Sequence, residues 1–104
     1  MNLKSNYYAV IFTSKQTPNT DGYKEMSDKM IQLAMTQAGF IGLDSARSEV
    51  GITVSYWESL DAIAKWKNNL EHKEAQKMGR TQWYAFYDIK ICQVIREYSF
   101  ENKN

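Results

Sequence analysis

The chain has 104 residues, 43% of them hydrophobic and 24% charged, which is the ordinary composition of one globular domain. Its 13 basic and 12 acidic residues are interspersed and give a net charge of +1, so the sequence lacks the basic patch expected of a nucleic-acid or membrane-surface binder. No stretch has the apolar length of a membrane span or a signal peptide, and we therefore expect a cytoplasmic protein.

The first part of the chain predicts a strand followed by a helix. Aromatic and β-branched residues fill 6–14, with apolar side chains at both alternating positions, so both faces of this strand need a cover. Apolar residues then recur at three- and four-residue spacing from Tyr23 to Ala34, which predicts a helix lying on a surface. The polar residues 17–21 offer N-caps for this helix, and Gly39 offers its C-terminal stop.

The second part of the chain predicts a hairpin, a helix and a last strand. Residues 40–48 and 52–57 read as two strands joined closely enough to form a hairpin. Ser59 is a candidate N-cap for the second helix, and the asparagine pair at 68–69 interrupts this helix before a further helical stretch. The last strand is predicted over 88–98, again with apolar residues on both faces.

The predicted order is β-α-β-β-α-β, which indicates an α+β, ferredoxin-like fold with a four-stranded antiparallel sheet and helices on one face. Residues 1–104 would form a single domain, with a disordered tail from about residue 101. The second face of the sheet is also apolar, so we expect a homodimer in which another copy covers it. Periodicity does not decide whether Val10 or Val94 lies on that face.

Residues 56–66, which begin Tyr-Trp-Glu-Ser-Leu, resemble the strand-to-helix junction of the antibiotic biosynthesis monooxygenase family. Residues 71–80 resemble the helix that follows in bacterial members, and residues 8–12 and 38–41 also fit the pattern, so the resemblance covers nearly the whole chain. It implies a dimeric α+β barrel. It also implies oxidation of an electron-rich aromatic or quinol by O2 without a cofactor, or haem binding with oxidative haem degradation. A hypothesis of a different class is a non-catalytic dimer that binds a small ligand or serves a stress response.

The chain departs from both well-defined sites of this family. Trp57 matches the polyketide-oxidising type, but Thr53 and Ile63 stand where that type has Asn and Tyr. Trp66 matches a tryptophan of the haem-degrading type, but Gln76 stands where that type has its iron-ligating histidine. The resemblance therefore implies no cofactor, with haem as the alternative.

The predicted catalytic residues are His72 and Arg80. His72 is the only histidine, and its ordinary pKa range makes it the proton acceptor best suited to a phenol or quinol. It could also ligate haem, because it lies one helical turn from Gln76. Arg80 would stabilise the negative charge that develops on an enolate or superoxide. Both residues have ordinary structural alternatives, since helical histidines and arginines commonly face water.

An unusual density of aromatic residues predicts a flat apolar pocket for a planar substrate. The residues predicted to bind that substrate are Thr53, Trp57, Trp66, Trp83 and Tyr87. The spacing from Trp83 to Tyr87 also fits one stripe of a helix, in which case these rings would pack in the core.

Other chemistries have no support in the sequence. The chain contains no glycine-rich phosphate loop, no GxSxG or HExxH motif, and no His or Cys pair at metal-ligand spacing. The single cysteine, Cys92, lies in an apolar run and is predicted to be a buried, unreactive hydrophobic residue.

Overall fold

The computed structural model describes residues 6–71 and 83–102. Its elements are β1 (Tyr7–Gln16), α1 (Tyr23–Met35), β2 (Phe40–Arg47), β3 (Gly51–Trp57), α2 (Leu60–Glu71) and β4 (Tyr84–Val94). The strands form one antiparallel sheet in the order β2-β3-β1-β4. The predicted α+β, ferredoxin-like order β-α-β-β-α-β is therefore confirmed.

The central strand β1 divides the side chains of the sheet between two faces. Residues directly opposite each other in an antiparallel pair share a face, so Val10 lies with Ser55 and Ile91. Both helices pack on this side, which we call the helix face. Ala9 lies with Tyr56 and Cys92 on the opposite side, which we call the open face.

The ends of α1 differ from those expected from the sequence. None of the polar residues 17–21 caps the helix, because Gly22 is the N-cap residue and no side-chain cap bond is made. The helix ends with Thr36 as its C-cap, so Gly39 is not its stop. Gly39 has φ +86°, and a Cβ there would lie 2.7 Å from the Cβ of Ala62, so this glycine allows β2 and α2 to approach each other closely.

The predicted cap of α2 is confirmed and its predicted interruption is wrong. The backbone N–H of Ala62 donates to Ser59 Oγ at 3.0 Å, which satisfies one free N–H group of the first helical turn. The helix continues through Asn68 and Asn69, because intrinsic propensity is a weak signal that tertiary contacts override. Asn69 itself donates to Gln37 Oε1 at 3.5 Å. The further helical stretch predicted after this point lies outside the described residues.

Strand β4 begins and ends four residues earlier than predicted. Trp83 to Tyr87 is not a helical stripe, since Tyr84 and Tyr87 both belong to the strand. The register shifts where Lys15 and Gln16 of β1 pair with β4, and one extra residue of β4 is accommodated there. Tyr84 and Tyr87 consequently face the same side of the sheet although they are three residues apart. A spacing of three, which suggested a helix, is produced here by a bulged strand.

The core lies at the end of the sheet where β3 meets α2. Trp57, Ala62 and Ile63 are buried there, and Tyr8, Val10, Phe40 and Trp66 pack against them. Within the described ranges, neither helix is long and apolar enough to span a membrane.

The prediction of a buried Cys92 is wrong, because this residue is exposed on the open face. β4 is an edge strand, and an apolar run in such a strand supplies side chains to both faces, only one of which the helices cover.

Candidate functional site

A cavity of about 430 Å³ lies between α1 and the helix face of the sheet. Its volume is in the range of about 300–1,000 Å³ that is usual for small-molecule sites. The cavity is partly open to solvent and its surface is mostly apolar. It follows α1 from Tyr23 to Ala34, a length of roughly 16 Å at the helical rise of ~1.5 Å per residue.

All the residues predicted to bind the substrate line this cavity. They are Thr53, Trp57, Trp66, Trp83 and Tyr87. The structure therefore brings the set together from β3, α2, β4 and the residue before β4, while its role in substrate binding stays a prediction. The predicted catalytic residues His72 and Arg80 lie outside the described residues, as does Gln76 of the haem alternative.

One end of the cavity is walled by stacked aromatic rings. Trp57 is fully buried, and its ring stacks on that of Trp66 with centroids 5.8 Å apart and an interplanar angle of 29°. The indole N–H of Trp57 donates to Ser55 Oγ at 2.9 Å, which fixes the ring. Phe40 meets Trp57 edge to face at 5.3 Å. The rings of Trp57 and Trp66 therefore make an apolar aromatic wall, with Phe40 packed against Trp57.

The other end of the cavity is polar and is organised by Arg47. Its Nη2 donates to Ser14 Oγ at 2.5 Å, and Ser14 is 0% exposed. The guanidinium also lies over the ring of Tyr23, 5.8 Å from its centroid. Gly51 is paired with Arg47 in the hairpin, and a Cβ at Gly51 would collide with the guanidinium. The missing side chain of Gly51 is therefore what lets Arg47 cross β3 to reach β1.

A pair of tyrosines completes this polar end. The hydroxyl of Tyr84 donates to that of Tyr23 at 3.3 Å. Burial, and then the hydrogen bond to Tyr23, raise the pKa of Tyr84 above its ordinary value of 10.0, so this hydroxyl stays protonated at neutral pH. Trp83 meets Tyr23 edge to face at 5.6 Å, and its indole N–H donates to the Asp21 carbonyl at 2.9 Å.

The described residues that line the cavity carry positive charge only. Among the described residues that line it, Arg47 is the only charged one, and none is a carboxylate or a histidine. The described residues also include no group of three or more His, Cys, Asp or Glu side chains that could hold a metal ion. The arrangement can bind a flat apolar group along its walls and present hydrogen-bond donors at one end.

Sequence reasoning did not find the polar end as a site. Arg47 is 33 residues from Ser14, and Tyr84 is 61 residues from Tyr23. Only the pairing of β1 with both of its neighbours brings these side chains together. A usable local signal was an arginine four residues before a glycine across the hairpin turn, because a glycine inside a strand often marks a close approach.

Comparison with solved structures identifies the fold as that of the antibiotic biosynthesis monooxygenase family. The chain is similar to SnoaB of Streptomyces nogalater, described as a cofactor-independent oxygenase, with a TM-score of 0.76 and 8% identity over 89% of this chain and 97% of that one. It is similar to Rv0793 of Mycobacterium tuberculosis, with a TM-score of 0.76 and 14% identity over 89% and 99% of the two chains. A protein of Nitrosomonas europaea proposed to be an antibiotic biosynthesis monooxygenase gives a TM-score of 0.68 and 14% identity over 89% and 94%.

The sequence comparison identifies a nearer relative. The chain is 46% identical over 101 residues to the uncharacterized protein YqjZ of Bacillus subtilis (strain 168), which covers 94% of this chain and 89% of that protein. No protein-family model matches the chain. At this level of identity and coverage, the chain belongs to the same family as YqjZ.

The contact between Gly51 and Arg47 gives a test of the polar end. In Gly51→Ala the new methyl group should push the guanidinium off Ser14, which leaves a buried hydroxyl without its partner and lowers the free energy of unfolding by about 1–3 kcal/mol. Gly42→Ala is the matched control, because nothing lies within 4 Å of a Cβ at Gly42. Urea denaturation measures both variants, and equal stabilities would contradict the role given to Gly51.

Proposed function

We propose that the protein is a cofactor-independent monooxygenase that oxidises an electron-rich aromatic or quinol substrate with O2. The observation that carries the proposal is the mostly apolar cavity whose walls include the stacked rings of Trp57 and Trp66. Such walls favour a flat, ring-containing substrate. The fold shared with SnoaB, described as a cofactor-independent oxygenase, supports the same class of reaction.

The proposed reaction needs no external reductant. For a substrate with an activated CH2 group flanked by rings, deprotonation gives a carbanion that reacts with O2. One oxygen atom becomes the new carbonyl oxygen, and the other leaves as water with the two hydrogens of the CH2 group. The substrate supplies all the electrons. The protein has only to remove the proton, hold the carbanion and admit oxygen.

The roles follow the chemistry of the side chains. His72 is the proposed proton acceptor, because a base with a pKa near neutrality is the most effective at physiological pH. Arg80 is the proposed cation that stabilises the charge developing on the enolate or on reduced oxygen. Thr53, Trp57, Trp66, Trp83 and Tyr87 are the proposed substrate contacts. Exclusion of water by the rings would lengthen the lifetime of the carbanion.

The test is oxygen uptake with a panel of quinols and anthrones. We expect the wild-type protein to consume O2 with at least one of them, and we expect His72→Ala to lower the rate by about 10²-fold or more, the usual contribution of a general base. Lys73→Ala is the control: it changes the neighbouring residue, which has no proposed catalytic role, and should leave the rate unchanged. Equal rates for wild type and His72→Ala would remove His72 as the base. Binding of these compounds without oxygen uptake would favour a non-catalytic binding protein.

We also propose that the protein is a homodimer formed through the open face of the sheet. Ile11 and Val54 oppose each other at the centre of this face, and neither described helix covers them. Ile52 is 45% exposed beside them, and Cys92 is exposed as well. Lys90 in β4 and Asp44 in β2 flank this pair, so the apolar strip runs along β1 and β3 between charged residues. A second copy would cover the strip on both subunits at once. The expected interface buries on the order of 2,000 Å² or more in total.

A matched pair of β4 variants tests the dimer. Val94 lies on the open face beside Tyr7, whereas Ile91 lies on the helix face and is 53% exposed. Val94→Asp should shift the protein towards monomer because it places an unpaired carboxylate in the interface, and Ile91→Asp should leave the dimer intact. Val10, the other valine considered from the sequence, lines the cavity on the helix face and therefore lies outside the proposed interface. Analytical ultracentrifugation at micromolar concentration measures the three proteins.

Cys92 is a built-in reporter for the same interface. Its thiol is exposed in the single chain, so its reaction with Ellman's reagent should be slow in the dimer and should accelerate in Val94→Asp. A folded wild-type monomer with a fast-reacting Cys92 would contradict the proposal.

A further inference from the structure

We propose that the polar end of the cavity, formed by Arg47, Tyr23 and Tyr84, binds a carboxylate group carried by an aromatic ligand whose rings extend towards Trp66. The inference rests on the proposed function only in taking this ligand to be the substrate. It adds a permanent negative charge to the substrate class, at the end of the molecule away from the stacked tryptophans.

The hydrogen-bonding capacity of this end is unbalanced in favour of donors. A guanidinium has several N–H donors and no acceptor, and within the described parts of the chain the side chain of Arg47 donates to one neutral oxygen, Ser14 Oγ. Because Tyr84 donates to Tyr23, the hydrogen of the Tyr23 hydroxyl is left to donate elsewhere. No carboxylate among the described residues lines the cavity to accept from these groups. A ligand that brings only acceptors therefore fits this end.

The cation is held in position before any ligand arrives. Ser14 is fully buried and fixes one nitrogen of Arg47, while the ring of Tyr23 supports the guanidinium from the side. The lack of a side chain at Gly51 leaves the space that the guanidinium of Arg47 occupies. A planar guanidinium fixed in this way can form paired hydrogen bonds to a carboxylate at little further cost in side-chain entropy.

The polar end is well separated from the stacked rings of Trp57 and Trp66. Arg47 is opposite Gly51, and Trp57 lies six residues further along β3, or roughly 20 Å at the rise of ~3.4 Å per residue. Arg47 is an exposed residue, so an anion can reach it from solvent. A group bound there is thus an anchor for the ligand and is distant from the end of the cavity walled by the stacked tryptophans.

A matched pair of ligands tests the inference in the wild-type protein alone. Anthracene-2-carboxylate and anthracene-2-carboxamide have the same ring system and almost the same shape, but only the first is charged. In calorimetric titrations we expect the carboxylate to bind at least about tenfold more tightly, the minimum expected for a hydrogen bond to a charged group. This preference should shrink as salt is raised, because an exposed ion pair is screened. Equal affinities at low salt, or no binding of either compound, would overturn the inference.

Three variants test whether Arg47 is responsible for the preference for the carboxylate over the carboxamide. Arg47→Gln should reduce the ratio of the two affinities to about one by weakening carboxylate binding alone. Gly51→Ala keeps the charge but displaces the guanidinium, so it should also lower the ratio. Arg96→Gln is the matched control: Arg96 is an exposed arginine bonded to Tyr98, so the same charge is lost at a position outside the cavity, and the ratio should not change. An Arg96→Gln effect equal to that of Arg47→Gln would overturn the assignment to Arg47.

The binding experiment is independent of catalysis. Preferential binding of the carboxylate without oxygen uptake by any quinol or anthrone would contradict the proposed oxygenase and leave the carboxylate site standing. Oxygen uptake together with equal binding of the carboxylate and the carboxamide would leave the oxygenase standing and remove the carboxylate site.

Discussion

The alternation of side chains along the central strand β1 determines how the rest of the molecule is arranged. β1 is hydrogen-bonded to β3 on one side and to β4 on the other. The face on which a β1 side chain lies is therefore also the face on which the paired side chains of β3 and β4 lie. Val10 and Phe12 face the helices and line the cavity, and Ser14 on the same face anchors Arg47. Ala9 and Ile11 face the uncovered side. A shift of one residue would exchange these two sets and destroy both the cavity and the apolar open face.

The sequence was sufficient for the order of elements, because periodicities of two and of three to four residues survive in a single chain without its partners. It was also sufficient for the aromatic set that lines the cavity, although the spacing of Trp83 and Tyr87 suggested the wrong element. The bulge in β4 could not be foreseen, since it depends on pairing with Gln16 far away in the chain. The same reason hides the contact of Arg47 with Ser14, which needs β1, β2 and β3 in register. His72 and Arg80 remain predictions.

The two faces of the sheet have different proposed roles: ligand binding on the helix face and dimerisation on the open face. The helix face carries a cavity with a flat aromatic wall at one end and fixed hydrogen-bond donors at the other, which suits a ligand that is itself apolar at one end and anionic at the other. The open face carries the apolar pair Ile11 and Val54 at its centre, with Lys90 opposite Ile11 in β4 and Asp44 opposite Val54 in β2. Dimerisation through that face would therefore leave the cavity of each subunit free to bind its own ligand.

The most direct test of this arrangement is a crystal structure of the protein with anthracene-2-carboxylate. We predict that the ligand lies in the cavity between α1 and the sheet, with its carboxylate oxygens about 2.7–2.9 Å from the nitrogens of Arg47 and its rings pointing towards Trp66. A ligand bound with its carboxylate directed away from Arg47, or bound on the open face of the sheet, would contradict the central claim.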